Sequence, residues 1–188
     1  IQEQTPDLYH KWKIVRDEIS EPINAQYDSN EPNKRQSDAY IPMKEIVKIR
    51  DSLPNGSEAR LLISMYTLIE PLRNNFENVK WFVDPPKDEY KGNYIVLNKN
   101  PTLYLNRYKT DKRFDTLLIP LPNELVDQIE YSLKRHARQY LFVNTKGMPY
   151  NNANTFNKWA NSLLKKVFKN KAFSLTIFRH AYLSDPDL

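Results

Sequence analysis

Apolar residues recur every three or four positions in six segments of the chain, the spacing that places them on one face of an α-helix. The clearest segment is residues 57–72, where Ser57 can cap the N-terminus and six apolar side chains form a broad face. We expect this segment to be the central helix of the core. The other predicted helices are residues 7–19, a short helix between Pro42 and the breaker at residues 53–56, residues 123–136, residues 154–168 and a last helix from about Ser174.

The pattern changes between Lys80 and Pro122, where short apolar runs are separated by turn residues. These runs predict a small antiparallel sheet of about three strands. A further extended piece at residues 140–143 ends in a turn at residues 144–147. The predicted fold is therefore mainly α with a small antiparallel β-sheet, in the α+β class. The runs within the predicted sheet are residues 81–83, 94–97, 103–105 and 117–119.

The length of 188 residues suits one main domain with an additional arm. Residues 1–39 are predicted to be an N-terminal helical arm and linker, with a turn-rich polar stretch from Tyr27 to Tyr40, and residues 40–188 the main domain. No apolar run approaches the roughly 18 residues that would span a bilayer, so no membrane partner is expected. The start at Ile1 has neither an initiator Met nor signal-peptide character. We therefore expect part of a longer intracellular protein, located in the cytoplasm or nucleus of a host cell or in a viral particle.

The composition narrows the chemistry that is available. The chain has no cysteine, which excludes disulfides, thiolate metal sites and cysteine nucleophiles. Its three histidines are scattered along the sequence, so a histidine-based metal site is not expected. Any reaction must then depend on Arg, Lys, Tyr and carboxylate side chains, with no metal and no other cofactor.

Positive charge is concentrated near the C-terminus. Residues 131–184 contain ten Lys and Arg residues and no Asp or Glu. Such a segment suits a surface that faces phosphates, because each neutralised phosphate releases condensed counterions. The alternative from charge alone is a solvated basic face with no partner.

Three cations stand out by their sequence context. Arg73 follows the most apolar predicted helix, Lys109 lies between two predicted strands, and Arg179 lies in an apolar stretch. Each also has a structural interpretation. Arg73 could pair with Glu70 or Glu77, Lys109 could lie in a solvated loop, and Arg179 could lie at the surface.

Taken in order, these features resemble the catalytic domain of the tyrosine recombinase (phage-integrase) family over about residues 40–188. The resemblance rests on Arg73 after a buried helix, on Lys109-Thr110 in a hairpin, and on Arg179-His180 after an amphipathic helix. It also rests on the stretch Leu141-Phe142-Val143-Asn144-x-x-Gly147-x-Pro149. In detail the sequence is similar to integrase-like proteins of large DNA viruses and mobile elements. The resemblance implies the DNA breaking-rejoining fold of that family.

The resemblance also implies a reaction. In the family a tyrosine attacks a DNA phosphodiester and forms a 3′-phosphotyrosyl intermediate. By resemblance, Arg73 and Arg179 hold the nonbridging oxygens, where charge develops in the transition state. Lys109 is the candidate general acid for the departing 5′ oxygen, with Lys112 as the second candidate. Thr176 occupies a catalytic position where the family commonly has His.

This sequence departs from the family pattern at three places. Thr176 can donate a hydrogen bond to a phosphate but does not titrate near neutral pH. The acidic residue expected after Arg73 is replaced by Phe76, with Glu77 next to it. The nucleophilic tyrosine would lie well beyond Arg179, and Tyr182 is too close to be that residue, so we interpret it as a packing aromatic. The expectation is a site-specific recombinase or integrase, of which this chain is a fragment that binds DNA without cutting it because it lacks the nucleophile.

The expected partner is double-stranded DNA, with self-association on DNA and no small-molecule substrate. One alternative is a non-catalytic DNA-binding protein with the recombinase fold, and another is a helical protein–protein module with a basic face. The residues predicted to contact DNA are Arg107, Lys112, Arg113, Lys146, Lys158, Lys165, Lys166, Lys169, Lys171 and His180.

Overall fold

The computed structural model describes residues 6–28, 34–72, 76–108 and 115–185, and within these ranges the chain forms seven helices and four strands. The helices are α1 (Pro6–Asp28), α2 (Lys34–Asp38), α3 (Met43–Ser52), α4 (Glu58–Thr67), α5 (Asn123–Arg135), α6 (Ala153–Val167) and α7 (Leu175–Leu183). The strands are β1 (Lys80–Phe82), β2 (Tyr94–Val96), β3 (Thr102–Leu105) and β4 (Leu117–Pro120).

The chain divides into two compact units, Ile1–Asp38 and Ala39–Leu188. In the first unit, α1 extends beyond the predicted segment 7–19, and α2 lies within the stretch predicted to be a turn-rich linker. The apolar spacing continues past the predicted end, because Ile23 lies four residues after Ile19. Among the described residues, no helix is both long and apolar enough to cross a membrane.

Helix α4 is the centre of the second unit, as predicted. The hydroxyl of Ser57 accepts a hydrogen bond from the backbone N–H of Arg60 and caps the helix. Its residues from Leu61 to Tyr66 are all buried, and α4 contacts α3, α5, α6 and α7. The helix ends at Thr67, earlier than predicted, because Pro71 and the residue before it disfavour a continued α-helix.

The turn between α3 and α4 holds α5 close to α4. Gly56 has a positive φ of 70°, and a β-carbon there would lie 2.6 Å from the carbonyl oxygen of Tyr131 in α5. Only glycine fits both the left-handed backbone and this close approach. The breaker predicted at residues 53–56 is therefore confirmed, with a packing role that the sequence did not indicate.

The three C-terminal helices agree with their predictions within a few residues. On α6 the apolar residues turn inward, with Phe156, Ala160 and Leu164 fully buried, while the predicted Trp159, Leu163 and Val167 are half-buried against the core. Helix α7 buries Leu175, Ile177, Phe178 and Ala181. Tyr182 is half-buried against the same core, which agrees with its interpretation as a packing aromatic.

The sheet corrects the predicted topology. It has four strands in the order β1-β2-β3-β4, and β1 pairs with β2 in parallel, whereas the other two pairs are antiparallel. A parallel pair needs a connection long enough to return the chain to the starting end, which residues 83–93 provide. The apolar runs marked the strands, but they did not carry the direction of this pairing.

The predicted extended piece at residues 140–143 runs beside β1 without becoming a strand. Tyr140 forms a single bridge with Lys80, and the N–H of Leu141 donates to the carbonyl of Val79 at 2.8 Å. The turn that follows is confirmed, since the N–H of Gly147 donates to the carbonyl of Asn144 at 2.9 Å. These contacts fix the C-terminal half of the unit to the edge of the sheet.

Candidate nucleic-acid interface

Helix α7 presents Arg179 from a fixed position. The N–H of Leu175, at the start of the helix, donates to Oδ1 of Asn161 on α6 at 2.9 Å. The buried side of α7 then packs into the core through Phe178 and its apolar neighbours. Because both the end and one side of the helix are held, the direction of its opposite side is also fixed.

That opposite side carries the predicted polar residues. Thr176 is exposed, and Arg179 and His180 are half-buried. Thr176 lies three residues before Arg179, so the two side chains share one face of the helix. Burial, and then the neighbouring charge of Arg179, lower the pKa of His180, which favours the neutral imidazole at neutral pH.

The ring of Tyr66 on α4 joins the segments next to the two candidate arginines. Phe76, three residues after Arg73, packs edge-on against it with ring centroids 5.5 Å apart. Phe178, which directly precedes Arg179, stacks on it at 5.2 Å. Phe76, which follows Arg73 in the sequence, and Phe178, which precedes Arg179, therefore contact the same buried side chain.

Several predicted site residues lie outside the described residues. These are Arg73, Lys109, Lys112 and Arg113. The strands on either side of Lys109 are described, and they pair in antiparallel register from Thr102 with Pro120 to Leu105 with Leu117. The two strands predicted on either side of Lys109 are therefore confirmed.

The position where an acidic residue was expected is part of the core. Phe76 is fully buried, so an ionised carboxylate at that position would lose its hydration. Glu77 beside it is half-buried, and burial raises the pKa of its carboxyl group. Among the residues that the structure describes, no group hydrogen-bonds to Oε2 of Glu77 or to the hydroxyl of Tyr66.

A row of lysines follows the outer side of α6, and we call it the lysine face. Lys158 and Lys166 are exposed and Lys165 is half-buried, and their spacing places all three on the side opposite Phe156 and Leu164. The row continues beyond the helix to two exposed lysines, Lys169 and Lys171. Lys169 has a positive φ of 50°, which costs a non-glycine residue about 1 to 2 kcal/mol.

The lysine face is available to a charged partner. In the described ranges, no ion pair involves its five lysines or the exposed Lys146. No acidic residue lies between Glu130 and Asp185 to compensate the charge locally. Unpaired ammonium groups in a row on a rigid helix can contact successive phosphates of a nucleic-acid backbone.

One cation of the basic segment has a different role. The guanidinium of Arg138 donates to the carbonyl oxygens of Ser132, His136 and Leu141 at 2.9 Å each, and to the hydroxyl of Ser132 at 2.8 Å. It joins the end of α5 to the extended piece that follows. Its contribution is therefore to the fold, although its charge was counted with the others.

The sequence prediction missed Asn161 as a functional residue. Its carboxamide, in the middle of α6, fixes the start of α7 and so positions Arg179. The sequence did not single out this residue, because α6 also contains Asn154 and Asn157 and the partner of Asn161 lies fourteen residues away.

No family model, curated protein or solved structure was found to match this chain.

Proposed function

We propose that this chain is the catalytic-domain segment of a tyrosine recombinase, which binds duplex DNA through the lysine face and holds the phosphate to be cut between Arg73 and Arg179. The single observation that supports it best is the shared contact on Tyr66. Phe76 and Phe178 both pack on this ring, at 5.5 and 5.2 Å, so a residue shortly after Arg73 in the sequence and the residue directly before Arg179 contact one side chain of the core.

The chemistry needs rigid cations more than it needs titrating groups. When a tyrosine oxygen attacks phosphorus, the bond to the 5′ oxygen breaks and charge develops on the nonbridging oxygens. A guanidinium can donate two parallel hydrogen bonds to those oxygens. Arg179 suits this role because Asn161 and the packing of Phe178 hold its helix at the end and along one side.

The other proposed roles follow from position. Thr176 shares the face of Arg179 and can donate a hydrogen bond to a phosphate oxygen. Lys109, in the connection between β3 and β4, protonates the departing 5′ oxygen in this proposal. The lysine face contacts the DNA backbone without reading its sequence.

The catalytic part is tested in the natural protein that contains this chain, with DNA that carries its recombination site. Arg179→Ala should abolish the covalent protein–DNA complex, seen as a species that resists denaturing electrophoresis, and should leave most of the duplex affinity. Arg135→Ala, at an exposed arginine of α5, is the matched control. A normal yield of covalent complex from Arg179→Ala would contradict the assignment.

The binding part is tested on the 188-residue chain itself. The triple change Lys158→Gln, Lys165→Gln and Lys166→Gln should reduce the salt dependence of duplex binding by about 2 to 3 in the log–log slope. The control removes three exposed charges outside the lysine face, with Lys13→Gln, Lys44→Gln and Lys99→Gln. Equal losses in both triple variants would reject the lysine face as the duplex-binding surface.

A second candidate function is DNA binding without catalysis. It is favoured by the burial of Phe76 at the expected acidic position and by the exposed Thr176 at the expected His position. The same experiments separate the two candidates. Duplex binding that depends on the lysine face, with no covalent complex from the unaltered natural protein, would support the second.

A further inference from the structure

The outer face of the sheet is lined with aromatic rings, and we call it the tyrosine face. In β2 and β3, Ile95, Leu103 and Leu105 are buried in the core, so the alternate residues point to the other side. Tyr94 and Tyr104 are directly paired in the register of these strands, and both are half-buried. Phe82 of β1 and Tyr90 of the following connection complete the group.

The rings form two kinds of contact. Tyr94 and Tyr104 stack in parallel, with centroids 4.5 Å apart and an interplanar angle of 4°. Phe82, Tyr90 and Tyr94 meet edge to face in all three pairs, at 5.6 to 5.7 Å. Such contacts hold each ring in one orientation. The stack covers the facing sides of Tyr94 and Tyr104, so a partner would meet only the outer sides and edges of these rings.

Two asparagines fix the segment that carries Tyr90. Nδ2 of Asn106 donates to the carbonyl oxygens of Tyr90 and Gly92, at 2.7 and 2.9 Å. Asn93 exchanges two hydrogen bonds with the backbone of Arg107, at 2.9 and 2.8 Å. The connection is thereby attached to the end of β3, which is the kind of secondary support that binding sites need.

A cleft of about 720 Å³ opens over this face, with Tyr90, Tyr94 and Tyr104 in its wall. Lys87, Lys91 and Arg107 also line it, and all three are exposed. The ammonium of Lys80 lies 5.2 Å from the ring centroid of Phe82 and 5.8 Å from that of Tyr90. Asp88 and Glu89 line the cleft as well, so the cations of the cleft are accompanied by hydrogen-bond acceptors.

We propose that the tyrosine face binds unpaired nucleotides of single-stranded nucleic acid. Bases would stack on the tyrosine rings, and Lys87, Lys91 and Arg107 would contact the phosphates. Asp88 and Glu89 can accept hydrogen bonds from the exocyclic amino groups of cytosine or adenine. This site uses no residue assigned to catalysis, and of the residues predicted to contact duplex DNA it contains only Arg107.

The combination of rings and cations favours a single strand over two other ligands, a proline-rich peptide and a nucleic-acid duplex. A proline-rich peptide would also pack on tyrosine rings, but it carries no regular negative charge for the lysines. A duplex would meet the cations, but its bases are stacked inside and cannot reach the rings. An unpaired strand offers both a flat ring and a phosphate in each nucleotide.

The test measures anisotropy of a labelled single strand of about 12 nucleotides with the 188-residue chain. Tyr94→Leu with Tyr104→Leu should weaken single-strand binding about tenfold or more and leave duplex binding within about twofold. Tyr131→Leu, at an exposed tyrosine of α5, is the matched control. Tyr104→Phe keeps the ring and should retain the affinity.

A second variant does not depend on the fold of the sheet. Lys87→Glu with Lys91→Glu changes only exposed side chains and should also weaken single-strand binding about tenfold. If neither double variant changes single-strand affinity, the proposal is wrong. It is also wrong if the double variants lose affinity for a proline-rich peptide while their affinity for the single strand is unchanged. If the lysine-face triple variant alone removes single-strand binding, the strand binds there and the proposal is equally wrong.

Discussion

The lysine face and the tyrosine face both present exposed cations, but they differ in what lies between those cations. On α6 the exposed neighbours of the lysines are small polar residues such as Thr155 and Ser162. On the sheet, aromatic rings lie beside Lys87 and Lys91. Charge alone suits a regular phosphate backbone, whereas charge interleaved with rings suits bases that are free to stack.

The two faces also differ in how the fold holds them. The lysine face takes its rigidity from a helix whose other side is buried through Phe156, Ala160 and Leu164. The tyrosine face depends on contacts between segments, namely the pairing of β2 with β3 and the hydrogen bonds of Asn93 and Asn106. A single substitution should therefore disturb the tyrosine face more easily than the lysine face.

Salt should separate the two faces by the largest effect. If five lysines contact duplex phosphates, raising salt from about 50 to 200 mM should weaken duplex binding about 500-fold. Three cations on a single strand should give a loss of only about 20-fold over the same range. Titrations of both ligands at several KCl concentrations measure these slopes. Equal slopes would mean that both ligands use the same cations, and the comparison would fail.

Arg138 should show that positive charge in the basic segment is not the same as a binding surface. Arg138→Gln removes most of the donors to four acceptor groups in the turn after α5, so the free energy of unfolding should fall by about 2 to 3 kcal/mol. Urea unfolding measures this loss. Both nucleic-acid affinities should stay within about twofold when measured well below the melting temperature.

The control for that variant is Arg135→Gln, which removes the same charge from an exposed position at the end of α5. It should leave the free energy of unfolding within about 0.5 kcal/mol. A large loss of duplex affinity in Arg138→Gln, without loss of stability, would place Arg138 in the interface.

These cases show which parts of the structure the sequence could predict. The helices α3 to α7 were predictable because the apolar residues of each recur with a period close to that of the α-helix. The lysine face was predictable in turn, because it lies on the side of α6 opposite the apolar face. The predicted end of α4 was too late, since apolar spacing continues to Leu72 beyond the point where Pro71 disfavours the helix.

The remaining features depend on contacts between distant segments. The parallel pairing of β1 with β2, the stacking of Tyr94 on Tyr104 and the multiple hydrogen bonds of Arg138 all follow from register and packing. The local spacing of apolar residues carries no information on register or on packing between distant segments. For the same reason the sequence pointed to Arg179 as a candidate but could not show that Phe76 and Phe178 meet on Tyr66.

Gly92 offers a smaller and more local test of the tyrosine face. A β-carbon at this position would lie 2.8 Å from Cε1 of the Tyr90 ring, so Gly92→Ala must displace that ring. Single-strand affinity should fall about threefold and duplex affinity should not change, because only one stacking surface is moved. In a Tyr90→Leu background the same substitution should have little further effect, which a double-mutant cycle measures. Additive losses would show that Gly92 acts by another route.

The smallest expected effect concerns His180, and it separates the helical side of the unit from the sheet. Burial, and then the charge of Arg179, lower the pKa of His180 in the folded chain from its ordinary value of 6.5. The unfolded chain then binds the proton at a higher pH, so stability falls as the pH drops below about 7.5 and levels off once the folded imidazole is protonated.

His180→Gln should flatten this part of the stability profile, measured by thermal unfolding between about pH 5 and 7.5. His10→Gln, which removes an exposed imidazole from α1, is the control. In the unaltered chain, protonation adds a positive charge beside Arg179, so duplex affinity should rise slightly at the acidic end of this range. Because the described residues that line the cleft over the tyrosine face include no histidine, single-strand affinity should not rise with it. A parallel rise for both ligands would place His180, or another group that titrates in this range, in contact with both.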